Sequence, residues 1–335
     1  MEIISIMLFV LSIGLIFISC FFFNNAIEWL GKTFELAEGT IGNIISITGK
    51  CLPQIIIPLT AFIFLRGTET IPIGIGAIIG APLILSTLAI GIFGLTIILL
   101  AKKGERDSEI DADELIISRD LKFFLITYSF AIFAGLLEDK FPQIFIGFIL
   151  LIIYGYYLYR SIAYEERAFE ELYTPLYFSG GRGETTSATI ISQLVISLIS
   201  LIGGSYLFVH TMKEITLGIQ SPLLGLILAI IFAPLVIEIP SKINIIIWLK
   251  DNKDTLALSN IMSSMIFQST ILVMLGILFS PWQLQGIALL AGGIPIVVST
   301  LIFIMMSIQE KINPYVLLGA GGFYLIFLAG LFFMK

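Results

Sequence analysis

Long apolar segments recur along the whole chain and constrain its fold more than any other feature. Each is close to the roughly 20 residues that a helix needs to cross the hydrocarbon core of a bilayer. Hydrophobic residues make up 58% of the chain and charged residues 13%, against about 25% charged residues in an average soluble protein. This composition excludes a soluble globular enzyme, a disordered protein and a nucleic-acid-binding protein. It predicts an all-α polytopic membrane protein.

The apolar segments predict ten transmembrane helices, and the charges between them predict an orientation. Of the 18 lysines and arginines, Lys50 and Lys242 fall within or beside spans, four lie on one side and twelve on the other. The positive-inside rule places the twelve in the cytoplasm and both termini outside it. Since the sequence carries no organelle signal, we expect a multi-pass protein of the cell (plasma) membrane. The predicted spans are residues 3–23, 40–65, 71–101, 121–137, 143–159, 186–210, 222–249, 256–279, 285–307 and 314–333.

Two long polar segments, residues 102–120 and 160–185, lie on the predicted cytoplasmic side and are rich in acidic residues. Charge runs of this kind usually form solvated loops. The alternative is a weak cation-attracting vestibule or a regulatory site. Neither segment has the glycine and glutamate spacing of an EF-hand loop.

An internal repeat relates the two halves of the chain. Residues 22–28 (FFNNAIE) align with residues 208–214 (FVHTMKE), at an offset of about 185 residues that covers five predicted spans. An odd number of spans per repeat gives the two halves opposite orientations, which is the inverted-repeat plan of secondary transporters. The predicted parts are a first five-helix repeat (1–160, with the cytoplasmic loop 102–120), a cytoplasmic linker (161–185) and a second five-helix repeat (186–335).

Two of the predicted spans carry proline beside polar residues, at corresponding places in the two repeats. They are residues 49–54 (GKCLPQ) in the second span and residues 233–240 (APLVIEIP) in the seventh. Proline inside a span removes a backbone hydrogen bond and frees a carbonyl, which is a suitable ligand for a desolvated cation. These segments therefore predict broken helices around an ion site near the bilayer midplane. The alternative is a plain kink.

These motifs resemble those of the calcium/cation antiporter superfamily, the sodium/calcium exchanger family. In that family each repeat reads G-T-S-L-P-E on one helix and G-S-N-I-F-N on the next. Residues 49–54 resemble the first element, residues 260–268 (NIMSSMIFQ) resemble the second element of repeat two, and residues 118–120 (SRD) are also similar to the family. The resemblance covers essentially the whole chain. It implies antiport of a cation, typically calcium, against sodium or protons by alternating access.

The resemblance also implies a set of ion ligands, which in the family are a motif glutamate, nearby hydroxyls, carbonyls and an amide or acid. Here Glu238 takes the position of the acid in repeat two, Ser264 that of the hydroxyl and Gln268 that of the amide, so these three are the expected metal ligands. In repeat one, Gln54 stands where the acid belongs, and Ser86 is the one polar candidate of the second element.

The departures from the family pattern alter the expected charge of the site. Calcium prefers six to eight oxygens that include carboxylates, whereas this pattern offers Glu238 alone. Lys50 stands where the family has threonine, and a lysine near the midplane is costly unless it is paired or neutral. We therefore predict that Lys50 approaches Glu238 and occupies part of the cation site. Alternatively, Glu238 forms a structural ion pair with Lys50 or with Lys242, which lies one helical turn away.

Three other ionisable residues are expected at helix ends near the membrane surface. Glu28 and Glu214 are predicted to cap helices or bond to loops, with ion conduction as the alternative. His210, the one histidine in the sequence, is predicted to end the sixth span as an interfacial residue, with a proton relay as the alternative.

The function predicted from these patterns is a secondary-active cation antiporter with an atypical ion site. The alternatives are a proton-coupled or monovalent-cation exchanger, and a transport-inactive homologue locked by a Lys50–Glu238 ion pair. No catalytic or nucleotide-binding motif is present, so we expect neither an enzyme nor a resident cofactor. The expected partners are the lipid bilayer and small cations (Ca²⁺, Na⁺ or H⁺), and the expected state is a monomer without nucleic acid.

Overall fold

A computed structural model describes residues 2–165, 174–179, 185–309 and 311–333 of the chain. These residues form ten helices, some of them interrupted by π-helical turns, and one short 3₁₀ turn at Tyr177–Ser179. The helices are α1 (Glu2–Gly49), α2 (Leu52–Phe64), α3 (Ile71–Lys102), α4 (Glu114–Leu136), α5 (Lys140–Glu165), α6 (Ser187–Ile219), α7 (Pro222–Lys250), α8 (Asp254–Phe279), α9 (Ile287–Gln309) and α10 (Pro314–Phe333).

Eight of the ten helices contain segments that are long and apolar enough to cross a membrane. The other two are α2, which is apolar but shorter, and α4, whose first half carries Arg119, Asp120 and Lys122. The prediction of an all-α polytopic membrane protein is confirmed among the described residues.

Residues 24–39, expected to connect the first two predicted spans, are themselves helical, so that α1 includes all residues from Glu2 to Gly49. Gly49 nevertheless lies against Ile27, whereas a straight helix would separate these two residues by about 33 Å. The path of α1 therefore reverses direction between them, as two successive spans require. Most of residues 24–39 are adequate or strong helix formers and none is proline. The chain turns at Lys50 and Cys51, immediately before Pro53 in the first turn of α2, where proline is well tolerated.

The predicted end of the sixth span was also wrong. Helix α6 continues past His210 to Ile219 and stops at Gln220, whose φ of 55° is left-handed. His210, Glu214 and Glu28 therefore lie inside helices rather than at their ends. His210 is exposed, with its ring beside that of Tyr206.

The break predicted in the seventh span is absent as well, because α7 is continuous through Pro234 and Pro240. Pro234 still removes the hydrogen bond to the Ile230 carbonyl. Gly80 of α3 lies directly against the backbone of Ile230, so close that a Cβ atom at Gly80 would overlap it. A glycine is required here because only its bare Cα permits this approach.

A π-helical turn ends α2 at Thr60–Phe64, and two others interrupt α3 at Leu85–Ala89 and α8 at Gln268–Leu272. In each turn a threonine hydroxyl bonds to the carbonyl four residues before it: Thr60 to Ile56 (2.7 Å), Thr87 to Leu83 (2.5 Å) and Thr270 to Ile266 (2.7 Å). Such a hydroxyl competes with the backbone N–H for the same carbonyl. The helix ladder is displaced locally, and turns of this kind are frequent at functional sites.

The helices pack into two compact units. The first is made of Met1–Gly74, Gly155–Leu228 and Val236–Ser241, and the second of Ile75–Tyr154, Ala229–Leu235 and Lys242–Lys335. In the first unit α1 packs along α6, with Phe9 stacked on Phe208 at 5.2 Å between ring centroids. In the second unit the C-terminal part of α3 packs on α10, where Gly91 faces Gly321.

Part of the predicted linker 161–185 is anchored to the first unit. The Asn25 amide donates to the Thr174 hydroxyl (2.9 Å), and the Trp29 indole donates to the Thr174 carbonyl (3.0 Å). Gln193 of α6 accepts from the Phe178 backbone (2.9 Å) and donates to Asn25 (2.9 Å). Residues 166–173 and 180–184 of the linker lie outside the described residues.

Candidate ion site

The six predicted site residues fall into the two compact units in groups of three. Lys50, Gln54 and Glu238 belong to the first unit. Ser86, Ser264 and Gln268 belong to the second.

Glu238 is almost completely buried, with 2% of its surface exposed. One turn along α7, the Ser241 hydroxyl donates to the Glu238 backbone carbonyl (2.8 Å) and lies 3.4 Å from its Oε2 atom. The buried Cys20 thiol of α1 lies within electrostatic range of the same carboxylate. An acid this deep in an apolar helix needs a compensating charge or proton, which makes it a functional candidate.

Lys50 makes an ion pair with Glu28. Its Nζ atom lies 3.3 Å from Glu28 Oε1, and the two side chains are 16% and 10% exposed. The reversal of α1 between Ile27 and Gly49 brings this lysine next to Glu28. Sequence reasoning assigned Lys50 to Glu238 instead, and that contact stays a prediction.

The sequence also suggested no role for Asn24, which lies between Cys20 and Glu28 on one face of α1. Because these three residues are spaced four apart, their side chains lie along one face of α1. Asn24 is buried, and both its Oδ1 and Nδ2 atoms lack a hydrogen-bond partner; so does Oε1 of the buried Gln54 in α2. Buried polar atoms are normally satisfied, so these amides are suited to bind an ion or water.

In the second unit, Lys242 of α7 is bound by oxygens of α8. Its Nζ atom donates to the Asn260 carbonyl (3.0 Å), to Asn260 Oδ1 (2.9 Å) and to the Ser264 hydroxyl (2.6 Å). Asn260 and Ser264 are four residues apart and therefore share one face of α8. The predicted ligand Ser264 is thus a partner of a lysine ammonium.

Ser86 and Gln268 both lie in π-helical turns and are completely buried. The Ser86 hydroxyl donates to the Leu83 carbonyl (3.3 Å). Next to Gln268, the Ser269 hydroxyl lies 2.6 Å from that of Thr127 in α4. The π turn containing Ser86 packs against α8 within the second unit.

The described residues include no group of three or more His, Cys, Asp and Glu side chains that could hold a metal ion. Any cation bound here would therefore depend on hydroxyl, amide and carbonyl oxygens, with Glu238 as the predicted carboxylate. This donor chemistry suits hard cations such as Na⁺ and Ca²⁺.

The residues that sequence reasoning missed had weak signals. Asn24 was used to align the repeats, and its place four residues before Glu28 could have indicated a shared face. Lys242 was considered only as a partner for Glu238, because the i, i+4 rule is local. Lys242 and Asn260 are 18 residues apart and lie on different helices, α7 and α8. No local rule predicts such a contact.

Comparison with known proteins agrees with this architecture. The profile of the sodium/calcium exchanger protein family matches residues 4–163, whereas no curated protein matches the sequence. Among solved structures, the H⁺/Ca²⁺ exchanger CAX is similar, with a TM-score of 0.75 and 16% identity over 98% of this chain and 82% of that one. YfkE has a TM-score of 0.71 and 16% identity, over 97% of this chain and 91% of that one. The sodium-calcium exchanger NCX_Mj has a TM-score of 0.59 and 20% identity, over 99% of this chain and 100% of that one.

The fold is therefore that of a membrane-embedded cation exchanger. The profile of the sodium/calcium exchanger family thus matches the first part of the chain, and the fold of the chain is similar to that of these exchangers.

Proposed function

We propose that this chain is a secondary-active cation antiporter of the sodium/calcium exchanger type that works by alternating access. The observation that carries the proposal is the buried carboxylate of Glu238, in the same unit as the buried amide of Asn24 and the buried Oε1 atom of Gln54, which have no hydrogen-bond partner. Buried polar groups without partners are costly in an apolar protein. A function that places a cation among them accounts for that cost.

The proposed ligands follow from this chemistry. In the first unit Glu238 is the charged ligand, and Gln54 contributes an amide oxygen in place of a second acid. In the second unit Ser264, Gln268 and Ser86 contribute neutral oxygens. CAX and NCX_Mj are named for exchange of Ca²⁺ against H⁺ or Na⁺, and we extend cation exchange to this chain.

The positive charges favour a second candidate, a proton-coupled or monovalent-cation exchanger. Lys50 is paired with Glu28, and Lys242 is bound among oxygens of α8. Two ammonium groups among the expected ligands oppose a divalent cation by direct repulsion. The same ammonium groups repel a monovalent cation or a proton less strongly than a divalent cation, because the energy of repulsion is proportional to the charge of the ion.

The two five-helix repeats are proposed to be inverted, with both termini outside the cytoplasm and the protein in the plasma membrane. The π-helical turns at Leu85–Ala89 and Gln268–Leu272 support the repeat, because they begin 183 residues apart. That offset is close to the one that relates the two sequence motifs. Matching interruptions in two halves are typical of transporters with internal repeats.

Thermal unfolding of the purified protein in a series of cations tests the proposal. Na⁺, Ca²⁺, Mn²⁺ and Mg²⁺ are titrated at several pH values, since a bound ligand stabilises by mass action, by about 2.7 kcal/mol at 100 times its Kd. We expect a saturable increase in Tm with at least one cation, lost in Glu238→Gln. Glu214→Gln, an acid of α6 outside the proposed ligands, serves as the control and should retain it.

The opposite result is equally specific. If no cation changes the Tm and Glu238→Gln melts like the unaltered protein, the antiporter proposal is wrong. The chain would then be a transport-inactive homologue.

A further inference from the structure

An open cavity lies along one face of the first half of α4, away from the candidate ion ligands. Its volume is about 260 Å³, slightly below the roughly 300 Å³ at which sites for whole small molecules begin. It therefore has room for the polar group of a ligand and leaves the rest of that ligand outside. The cavity is lined by Leu115, Ser118, Arg119, Lys122, Phe123 and Ile126.

The polar groups of this lining favour an anion. The lining includes an ammonium, a guanidinium and a hydroxyl group, all of which can donate hydrogen bonds, and none of the six residues is acidic. Arg119 already donates to the Asp120 carboxylate, from Nε at 2.9 Å and from Nη2 at 2.8 Å, so these two charges balance. Lys122 has no carboxylate partner among the described residues. The cavity thus keeps a net positive charge at Lys122.

The position of the Lys122 ammonium is determined by an aromatic ring of α9. Its Nζ atom lies 5.5 Å from the centre of the Phe303 ring, within the range of a cation–π contact. A phenyl ring attracts the ammonium but does not neutralise it. The charge therefore stays available to an anion in the cavity.

Beyond the cavity, the same side of α4 continues as an exposed apolar face. Ile126, Phe130 and Phe133 are 51%, 41% and 53% exposed, and their spacing of four and three residues places them along one side of the helix. They belong to the predicted span 121–137, where an exposed apolar side chain contacts lipid. A ligand that fills the cavity and continues along this face combines an anionic group with hydrocarbon.

We propose that the cavity binds the phosphodiester group of an anionic phospholipid. Lys122 pairs with the phosphate, Ser118 and Arg119 donate to its oxygens, and the acyl chains lie along the apolar face. A phosphodiester carries one negative charge, which matches the net charge of the cavity. The predicted orientation places this end of α4 at the cytoplasmic leaflet, where basic pockets beside membrane helices typically bind anionic headgroups.

Inorganic phosphate has the same anionic chemistry without the hydrocarbon. Leu115, Phe123 and Ile126 form half of the lining, and a hydrated ion gains nothing from contact with apolar side chains. These walls favour the lipid, and the experiment includes both sources of phosphate.

Thermal unfolding of the delipidated protein in an uncharged detergent tests the proposal. Phosphatidylglycerol, phosphatidylcholine and inorganic phosphate are titrated separately, because a ligand bound to the folded state raises the Tm in a saturable manner. We expect saturation with phosphatidylglycerol and no response to inorganic phosphate at equal concentration. The apparent Kd for phosphatidylcholine, whose headgroup adds a positive charge, should be at least about fivefold higher than that for phosphatidylglycerol.

Three variants locate the binding. Lys122→Gln should raise the apparent Kd for phosphatidylglycerol about fivefold, the usual effect of one basic residue beside an anionic headgroup. Lys122 is exposed, so its replacement leaves the core intact. Lys122→Arg keeps the charge and should keep the affinity. Lys103→Gln is the matched control, because Lys103 is an exposed lysine on the same predicted side, directly after α3 and outside the cavity.

Equal apparent Kd values for Lys122→Gln and the unaltered protein would overturn the proposal. Equal weakening by Lys103→Gln would also overturn it, because the lipid would then be attracted to the basic surface in general. A response to inorganic phosphate, or equal responses to the two lipids, would exclude an anionic phospholipid as the specific ligand. All of these outcomes are independent of cation exchange.

Discussion

At the scale of single residues, two lysines of the predicted spans lie beside groups that can compensate a positive charge. Lys50 is compensated by the Glu28 carboxylate at 3.3 Å, and Lys242 by three oxygens of α8. An uncompensated ammonium at the membrane centre would be costly. These contacts therefore fix where each lysine can lie.

Replacing Lys50 with methionine should destabilise the protein, because Glu28 loses its ion-pair partner in a largely buried position. We expect a loss of about 2 kcal/mol in the free energy of unfolding, between the values for exposed and for fully buried pairs. A double-mutant cycle with Glu28→Gln measures the coupling between the two residues. Additive effects of the two substitutions would show that the pair contributes nothing.

Glu238 and Lys50 also illustrate what sequence can and cannot provide at this scale. The burial of Glu238 follows from its place in an apolar span, and it was predicted correctly. The pairing of Lys50 with Glu28 was not predicted, because it depends on where the chain reverses between these two residues. No local pattern gives that position.

At the scale of secondary-structure elements, close helix contacts depend on glycine. Gly91 of α3 faces Gly321 of α10, and a Cβ atom at Gly91 would lie 2.8 Å from the Gly321 Cα atom. A backbone neighbour cannot rotate away, so the two helices would have to separate.

Gly91→Ala should therefore lower the free energy of unfolding by about 1–3 kcal/mol, the usual cost of overpacking. Gly322→Ala is a matched control on α10, because no atom lies within 4 Å of its added Cβ. Alanine should leave stability unchanged or raise it by up to about 1 kcal/mol there. Equal effects of the two substitutions, measured as Tm shifts, would contradict the packing of α3 on α10.

The segment between α3 and α4 is attached to the start of α8 by a buried ion pair. Arg106 donates to both carboxylate oxygens of Asp254 at 2.7 Å, and the two side chains are 1% and 0% exposed. The Asp111 backbone donates to the same carboxylate (2.9 Å). The predicted solvated loop is therefore anchored along part of its length.

Arg106→Met should destabilise the protein by about 3–5 kcal/mol, because Asp254 would remain as a buried, unpaired charge. Lys311→Met is the control, since its ion pair with Glu109 is 72% and 77% exposed and should contribute less than about 1 kcal/mol. Thermal unfolding of the two variants compares them directly. Equal losses would mean that the buried pair has no special role.

Element boundaries were predictable where a chemical signal marks them. Pro222 and Pro314 begin helices where the hydropathy pattern also begins. The π-helical turns were not predictable, since they depend on which threonine hydroxyl replaces a backbone donor. Periodicity alone also could not distinguish a proline that ends a helix from Pro234 and Pro240, which α7 accommodates.

At the scale of the whole molecule, the proposed orientation in the membrane rests on the charge distribution between helices. Asp107 and Thr68 are both exposed and lie at opposite ends of α3. The native Cys20 and Cys51 are buried, so they provide a background of low reactivity for labelling.

Asp107→Cys should react with a membrane-impermeant maleimide only after the cytoplasmic face is opened, and Thr68→Cys should react in intact cells. The reason is the excess of lysine and arginine on the side that contains residues 102–120. The reverse labelling pattern would invert the predicted topology, and labelling of both from one side would contradict the crossing of α3.

The helical fold and the resemblance to the sodium/calcium exchanger family could be derived from composition, spans and motifs, because membrane burial imposes strong and local constraints on sequence. The division into two compact units could not, because α7 contributes alternating segments to both units. Such a division depends on contacts between residues distant in sequence. No pattern within one span reports them.

Counter-transport in reconstituted vesicles tests the central claim most directly. Uptake of ⁴⁵Ca²⁺ and of ²²Na⁺ is measured with opposing gradients of Na⁺ or H⁺, for the unaltered protein and for Glu238→Gln. The account predicts uptake of at least one cation that requires the opposing gradient and disappears in Glu238→Gln. Uptake that is independent of the gradient, or equal in the two proteins, would contradict it.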